Sequence, residues 1–265
     1  MTRNQKLLAD TLKATRLWRV WTFLGVQDIK ARFRRSFFGP LWIIMTTAFF
    51  VGGVGMVYGL LFGQAVHEFL PYLAGGFAIW SLILSSLTDA SGSFIRAEGY
   101  IKQFSYPKQI YLMRNLVSYT IVFLIGILVL IPVQLFFDQF VLKGWLLAVP
   151  GIFILLLGTL GHITISAYVG TRFRDYPHAM GVVLQMLFFI TPIMFPAEIL
   201  QQKGLSFIYQ YNPFYYLIDV VRHPILQNEW ALSENYIFAV IYVLVIWTAA
   251  ILIAYRLDSR VVFLL

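Results

Sequence analysis

Chemistry has few places to happen in this chain of 265 residues. Cysteine is absent, so neither a disulfide framework nor a thiolate metal site can be built. The four histidines, His67, His162, His178 and His223, fall at no metal-ligand spacing. No G-x-x-x-x-G-K-S/T segment offers a phosphate cradle, and no H-E-x-x-H, G-x-S-x-G or paired-carboxylate pattern stands out. No catalytic residue and no metal ligand is expected. What remains is anion recognition. Arg32, Arg34 and Arg35 stand beside Phe37, Phe38 and a Gly39-Pro40 break, just ahead of a long apolar run. Guanidinium forks match phosphate oxygens in pairs, so the three suit a cationic doorway for an anionic head group. A plainer role is open to them as the positive stop at the cytoplasmic end of a first transmembrane helix.

The elements that must position these arginines are membrane elements. The chain is 60% hydrophobic and only 12% charged, about half the charge of a soluble domain, and its mean hydropathy is +0.77. The apolar runs are continuous and helix-length rather than alternating, which predicts an all-α polytopic membrane protein and excludes a barrel. Six runs qualify: Phe38–Phe62, Leu70–Leu87, Ile110–Phe137, Trp145–Gly170, Ala179–Phe195 (the shortest) and Ile237–Tyr255. Lys and Arg divide 17 to 3 between alternate connections. The positive-inside rule then predicts six spans with both termini cytoplasmic. The net charge of +8 is spent on that asymmetry, so nucleic acid is not an expected partner. The N-terminus is too long and too weakly apolar for a cleavable signal. Residues 1–265 are expected to form one transmembrane domain: an arm (1–37), a six-span bundle (38–255) and a tail (256–265).

Within this frame several stretches invite a role. Lys13–Lys30 can wind as an interfacial helix, with Leu17, Trp21 and Leu24 on one side, Trp18 alongside, and Lys13, Arg16, Arg19 and Lys30 largely opposite. Gly55, Gly59 and Gly63 recur every fourth residue, which suits close helix packing; a smooth lining for a passing polymer is the other reading. In the loop 92–109, Arg96–Pro107 has Tyr100, Ile101 and Phe104 able to share one helical face, as in a segment that docks into a partner's groove. His162 lies inside an apolar run with no second buried acid or base beside it, which favours a neutral imidazole bonded to a neighbouring helix carbonyl over a proton relay. The ring-rich stretch Pro196–Tyr236 predicts two short amphipathic helices, broken at Asn212-Pro213 and His223-Pro224, as a lid on the outer side or as an aromatic anchor.

Taken together, the basic arm before RRSFFGPLW (Arg34–Trp42), then RFRDYP (Arg172–Pro177), TPIMFP (Thr191–Pro196) and YNPFYYLIDVVRHPIL (Tyr211–Leu226) resemble the membrane subunit of a type 2 ABC (ATP-binding cassette) exporter. The likeness is greatest to the polysaccharide exporters of O antigen, capsule and teichoic acid, and it covers nearly the whole chain. It implies a homodimer in the bacterial inner membrane, with two copies of a separate cytosolic ATPase that carries ATP and Mg; this chain itself would bind no cofactor and be no enzyme. The implied cargo is a polysaccharide on undecaprenyl diphosphate, O antigen first, with capsule, teichoic acid, or small drugs and lipids as alternatives. By the same likeness Lys13–Lys30 is the interface helix, and the doorway for the lipid diphosphate is Arg32, Arg34 and Arg35. Coupling to the ATPase falls to Arg96, Glu98, Tyr100, Ile101, Phe104 and Pro107. Re-entrant gate helices between the fifth and sixth spans hold Tyr211, Asn212, Pro213, Phe214, Tyr215 and Arg222. Rings suit a path on which sugars slide, and Phe37, Phe49, Tyr58, Phe188 and Phe189 are the candidates for its lining. A receptor or scaffold that transports nothing is the reading from another class.

Overall fold

The structure, a computed structural model, describes residues 3–63, 65–104 and 106–265. Gln64 of the first outer connection and Ser105 of the expected coupling segment lie outside the described residues. Every regular element among the described residues is helical, as an apolar chain requires where no water is available to satisfy the backbone. The arm forms α1 (Arg3–Arg16) and α2 (Trp18–Arg32). Next come α3 (Leu41–Phe62), α4 (Val66–Leu87), the short α5 (Ser93–Arg96) and α6 (Glu98–Gln103), and α7 (Gln109–Ile127) with its extension α8 (Leu130–Phe136). Then α9 (Leu142–Leu147) leads into α10 (Val149–Arg172), whose Pro150 sits in the first turn, where a missing N–H costs nothing. The remainder is α11 (Tyr176–Ile190), α12 (Ala197–Gln202), α13 (Phe207–Gln210), α14 (Pro213–Gln227), α15 (Ser233–Leu257) and α16 (Val261–Leu264).

Among the described residues, five stretches are long and apolar enough to cross a membrane: Leu41–Gly59, Val66–Arg96, Gln109–Phe136, Leu142–Arg172 and Ser233–Leu264. The fifth expected span is the exception. It is the 15-residue α11, about 22 Å long against about 30 Å of hydrocarbon, because Thr191-Pro192 ends it.

Side-chain bonds fix how these helices run. The start of α7 meets the end of α15 where Lys108 Nζ reaches the Asp258 carboxylate at 3.0 Å. The end of α10 joins them through Tyr168 Oη, which donates to Asp258 Oδ1 at 2.8 Å. This end, against which α1 also packs, is termed basal. Along α10 and α15, His162 meets Tyr242 and Tyr168 meets Asp258, so the two helices are parallel and α15 starts at the opposite, apical end. The chain therefore has to travel from the basal end at Arg172 to the apical end at Ser233. It does so in two pieces. Helix α11 rises from Tyr176, whose hydroxyl lies 3.0 Å from Ser166 Oγ, to Thr191, and α14 continues outward until Asn228 lies beside Gly144 of α9.

The sequence reading needs correction in four places. First, Lys13–Lys30 is not one helix: the chain breaks at Leu17 (φ −87°, ψ 35°), and Trp21 Nε1 donates back to Ala14 O at 3.1 Å. What α2 buries is Gly25 and Ile29, while Trp18 stays exposed. A Cβ on Gly25 would lie 2.7 Å from Val117 Cβ, so glycine is what lets α2 lie directly on α7. Second, the glycine row divides. Gly55 packs under Leu70 of α4, whereas Gly63 has φ +62° and open space around it, so it ends α3 rather than packing it. Third, no break occurs at His223-Pro224: α14 runs through Pro224. Proline lacks the N–H that would have bonded the Val220 carbonyl, and α10 comes against that freed carbonyl at Gly151, where a Cβ would sit 2.0 Å from Val220 O. Fourth, Pro196–Tyr236 holds three whole helices, α12, α13 and α14, and the first turn of α15, where two helices were expected.

Candidate functional site

At the basal end a cleft of about 390 Å³ opens between α2, α7 and the turn before α5. Arg32, Arg96 and Arg114 line it together with Asp28 and Asp89. Arg114 is occupied: its guanidinium forks onto the Asp28 carboxylate, Nε at 2.6 Å from Oδ2 and Nη2 on Oδ1. Ser118 Oγ adds a bond to Gly25 O at 3.0 Å, so this pair clamps α2 to α7. Arg96 folds back onto the Asp89 carbonyl, Nη2 to O 3.0 Å. Of the three expected doorway arginines, only Arg32 lines the cleft. Arg34 and Arg35 are exposed on the following turn, where Arg35 takes φ 65°, and Phe37 beyond them is 94% exposed, edge-on to Phe38.

Next to this cleft, α6 projects from the bundle. Tyr100 and Phe104 are exposed, their rings 6.3 Å apart and nearly parallel. Lys102 Nζ braces the helix on Glu98 Oε1 at 2.6 Å. Ile101 does not share their face; it packs inward against the basal core, and Phe104 is already extended at ψ 139°. Arg96 belongs to α5 and to the cleft, and Pro107 ends the segment ahead of α7.

In the apical half the joint between α11 and α14 is a polar hub that sequence spacing does not announce. Asn212 caps α14, its Oδ1 accepting from Phe214 N at 3.0 Å, while its Nδ2 donates to Thr191 Oγ1 at 2.7 Å. The 191–212 excursion is thus closed by a bond between its two ends. Arg222 is buried, with its guanidinium carbon 3.7 Å from the centre of the Tyr72 ring and Nη1 donating to Pro192 O at 2.9 Å. Tyr72 Oη lies 2.9 Å from the same carbonyl and 3.1 Å from Phe195 O. Gly76 makes room: a Cβ there would lie 3.1 Å from Arg222 Nη1. Pro213 opens the helix at its first position. Phe214 is buried against Trp80, His162 and Tyr242, at 5.7, 6.2 and 5.9 Å between ring centres. Tyr215 is half-buried on Tyr209, and Tyr211 is 85% exposed.

The remaining candidates divide. Phe49 and Phe189 are exposed on α3 and α11, whereas Tyr58 and Phe188 pack on the main core. His162 sits between two hydroxyls, Nδ1 3.2 Å from Ser86 Oγ and Nε2 2.8 Å from Tyr242 Oη. Because Ser86 spends its own proton on Ile83 O at 2.7 Å, its oxygen must accept from Nδ1–H, and Nε2 then accepts from Tyr242. The imidazole is a neutral cross-brace of α4, α10 and α15. Its partners are side-chain hydroxyls and not the expected backbone carbonyl.

A helical membrane bundle with a braced projecting helix and an arginine cleft has parts that suit a transport subunit, and fold alone does not decide function. Residues 19–226 match the ABC-2 type transporter family, and the chain belongs to that family. It is 26% identical over 209 residues to the O-antigen export system permease protein RfbA of Klebsiella pneumoniae, covering 77% of this chain and 80% of that one. To the protein of the same name from Myxococcus xanthus it is 22% identical over 239 residues, 88% and 90% of the two chains. To the polysialic acid transport protein KpsM of Escherichia coli it is 24% identical over 224 residues, 81% and 84%.

Proposed function

We propose that this chain is the membrane-spanning subunit of an ATP-driven exporter that moves a lipid-linked polysaccharide, O antigen on undecaprenyl diphosphate, out across the bacterial inner membrane. Its relatives carry the reading: over about four-fifths of the chain they are named for O-antigen export or polysialic acid transport. It acts as a homodimer with two copies of a cytosolic ABC ATPase. Helices α3 and α15, whose apolar windows are only 17% and 22% buried within one chain, are the surfaces left for lipid and for the second copy. The basal end, where the Lys- and Arg-rich connections gather, faces the cytoplasm with both termini. Helices α11 and α14 together make the sixth crossing, since a chain whose ends share a side crosses an even number of times, and 191–212 is the re-entrant gate.

In operation the ATPase would grip α6 through Tyr100 and Phe104, and closure of the ATPase pair would be transmitted through α5 to the α4–α7–α10 core as a rigid-body movement. The diphosphate would enter by Arg32, Arg34 and Arg35. The match to a polysialic acid transporter favours one second reading, a capsule polymer as cargo. Disruption of the coding sequence tests the proposal. The expected phenotype is loss of surface polysaccharide with lipid-linked glycan building up on the cytoplasmic side, restored by the wild-type chain. Normal surface polysaccharide in the disrupted strain contradicts it, and loss of a capsule polymer alone decides for the second reading.

A further inference from the structure

Beside the arginine cleft lies a second, half-open cavity of about 320 Å³, lined by α3, α4, α7 and the end of α2. The two share Arg32, Tyr119 and Val122, so they are parts of one groove. The walls change character along it. In the second part three of the four aliphatic hydroxyls donate to their own helices, Thr46 to Trp42 O, Thr47 to Ile43 O and Ser81 to Phe77 O at 2.7, 3.0 and 2.8 Å, with Ser85 the fourth. Ala78, Leu82 and Phe123 complete an apolar channel. In the first part the charges do not cancel. Asp28 is committed to Arg114, which leaves Arg32 and Arg96 facing Asp89 alone, with no ion pair to either arginine among the described residues. At the junction the Tyr119 hydroxyl is buried beside the Arg96 charge, with no hydrogen bond of standard geometry among the described residues.

We propose that this groove binds one anionic lipid. Its phosphate lies between Arg32, Arg96 and the Tyr119 hydroxyl, and a hydrocarbon chain runs between α3, α4 and α7. A head group that accepts from two guanidinium groups and a phenol satisfies all three, and the apolar part removes a chain from water or bilayer without unpaired polar atoms. Arg96 ends α5, and Glu98 opens α6 two residues later. A phosphate held there fixes the root of the helix that the ATPase is proposed to grip, so lipid occupancy tunes coupling. This rests on the membrane orientation proposed above.

The test is native mass spectrometry of the chain purified with its ATPase, titrated with phosphatidylglycerol, undecaprenyl phosphate and phosphatidylcholine. One anionic lipid per chain, held in preference to phosphatidylcholine, is expected. Arg32→Gln with Arg96→Gln, and separately Thr46→Trp to fill the apolar part, are each expected to weaken binding at least about tenfold, equivalent to about 1.4 kcal/mol. Lys203→Gln with Arg260→Gln serves as the charge-matched control and should bind as wild type. Should the arginine variant fail to assemble, Thr46→Trp, on an exposed position of α3, carries the test. Preference for undecaprenyl phosphate identifies the cargo carrier, and preference for phosphatidylglycerol a resident bilayer lipid; either supports the groove. Equal binding of phosphatidylcholine, or wild-type affinity in both groove variants, overturns it. The readout needs no ATP turnover. A wild-type complex that shows glycan-stimulated hydrolysis but binds no anionic lipid sinks the groove alone, and one that binds the lipid at the groove without such stimulation sinks the export reading alone.

Discussion

Arg222 is a buried charge whose partners are a ring and a carbonyl. A cation over an aromatic face away from water contributes on the order of 2 kcal/mol, and the Tyr72 hydroxyl adds contacts to two carbonyls. Tyr72→Phe is expected to cost about 1–3 kcal/mol and Arg222→Ala more, read as ordered falls in the unfolding temperature of the purified complex. Unchanged temperatures for both would show that the hub does not hold the α11–α14 joint. The His162 brace makes a sharper forecast. Tyr242→Phe strands the Nε2 lone pair at a cost of about 1–3 kcal/mol, whereas removing both polar partners is nearly neutral. Adding His162→Leu to Tyr242→Phe should therefore restore part of the lost stability. Sequence reading placed Arg222 in the outer segment and left His162 neutral, but it had no means of finding Tyr72, 150 positions from Arg222. Nor does spacing join Asp28 to Arg114. Both were counted only as loop charges or passed over, because a pair made across helices leaves no periodic trace.

At the scale of elements the helices themselves were legible. Continuous apolar runs mark the five helices of membrane-spanning length among the described residues to within a few residues, since length and hydropathy are what the bilayer selects. The breaks were less so. The break expected at Asn212-Pro213 falls where Asn212 caps α14 and Pro213 opens it, but Pro224 does not interrupt α14, and the carbonyl it frees lies against Gly151. That contact is testable. Gly151→Ala should drive α10 and α14 apart and yield little folded complex, while Gly181→Ala, on the open side of α11 with nothing within 4 Å, should be silent. Equal yields would mean that the contact relaxes cheaply. For α6 the expectation is functional: Tyr100→Ala with Phe104→Ala should lose the ATPase on co-purification without lowering the membrane subunit's unfolding temperature.

For the whole molecule, the absence of cysteine makes topology directly measurable, because each introduced thiol is the only one present. In spheroplasts a membrane-impermeant maleimide should label Lys143→Cys and Gly204→Cys from outside, and Arg34→Cys and Arg260→Cys only after permeabilisation. Labelling of Arg260→Cys from outside would end the six-crossing arrangement. Charge asymmetry is what suggests that arrangement in the sequence; the proposed division of one crossing between α11 and α14 has no counterpart there, since neither piece has the length of a span. The account's central claim is that this bundle exports a lipid-linked glycan by coupling to an ATPase, and hydrolysis by the co-purified complex tests it most directly. With lipid-linked O antigen added, the rate should rise well above the basal rate, and a Glu-to-Gln change at the ATPase's catalytic carboxylate should abolish it. A complex that hydrolyses ATP at the same rate with and without the glycolipid, and does not bind it, would contradict the claim.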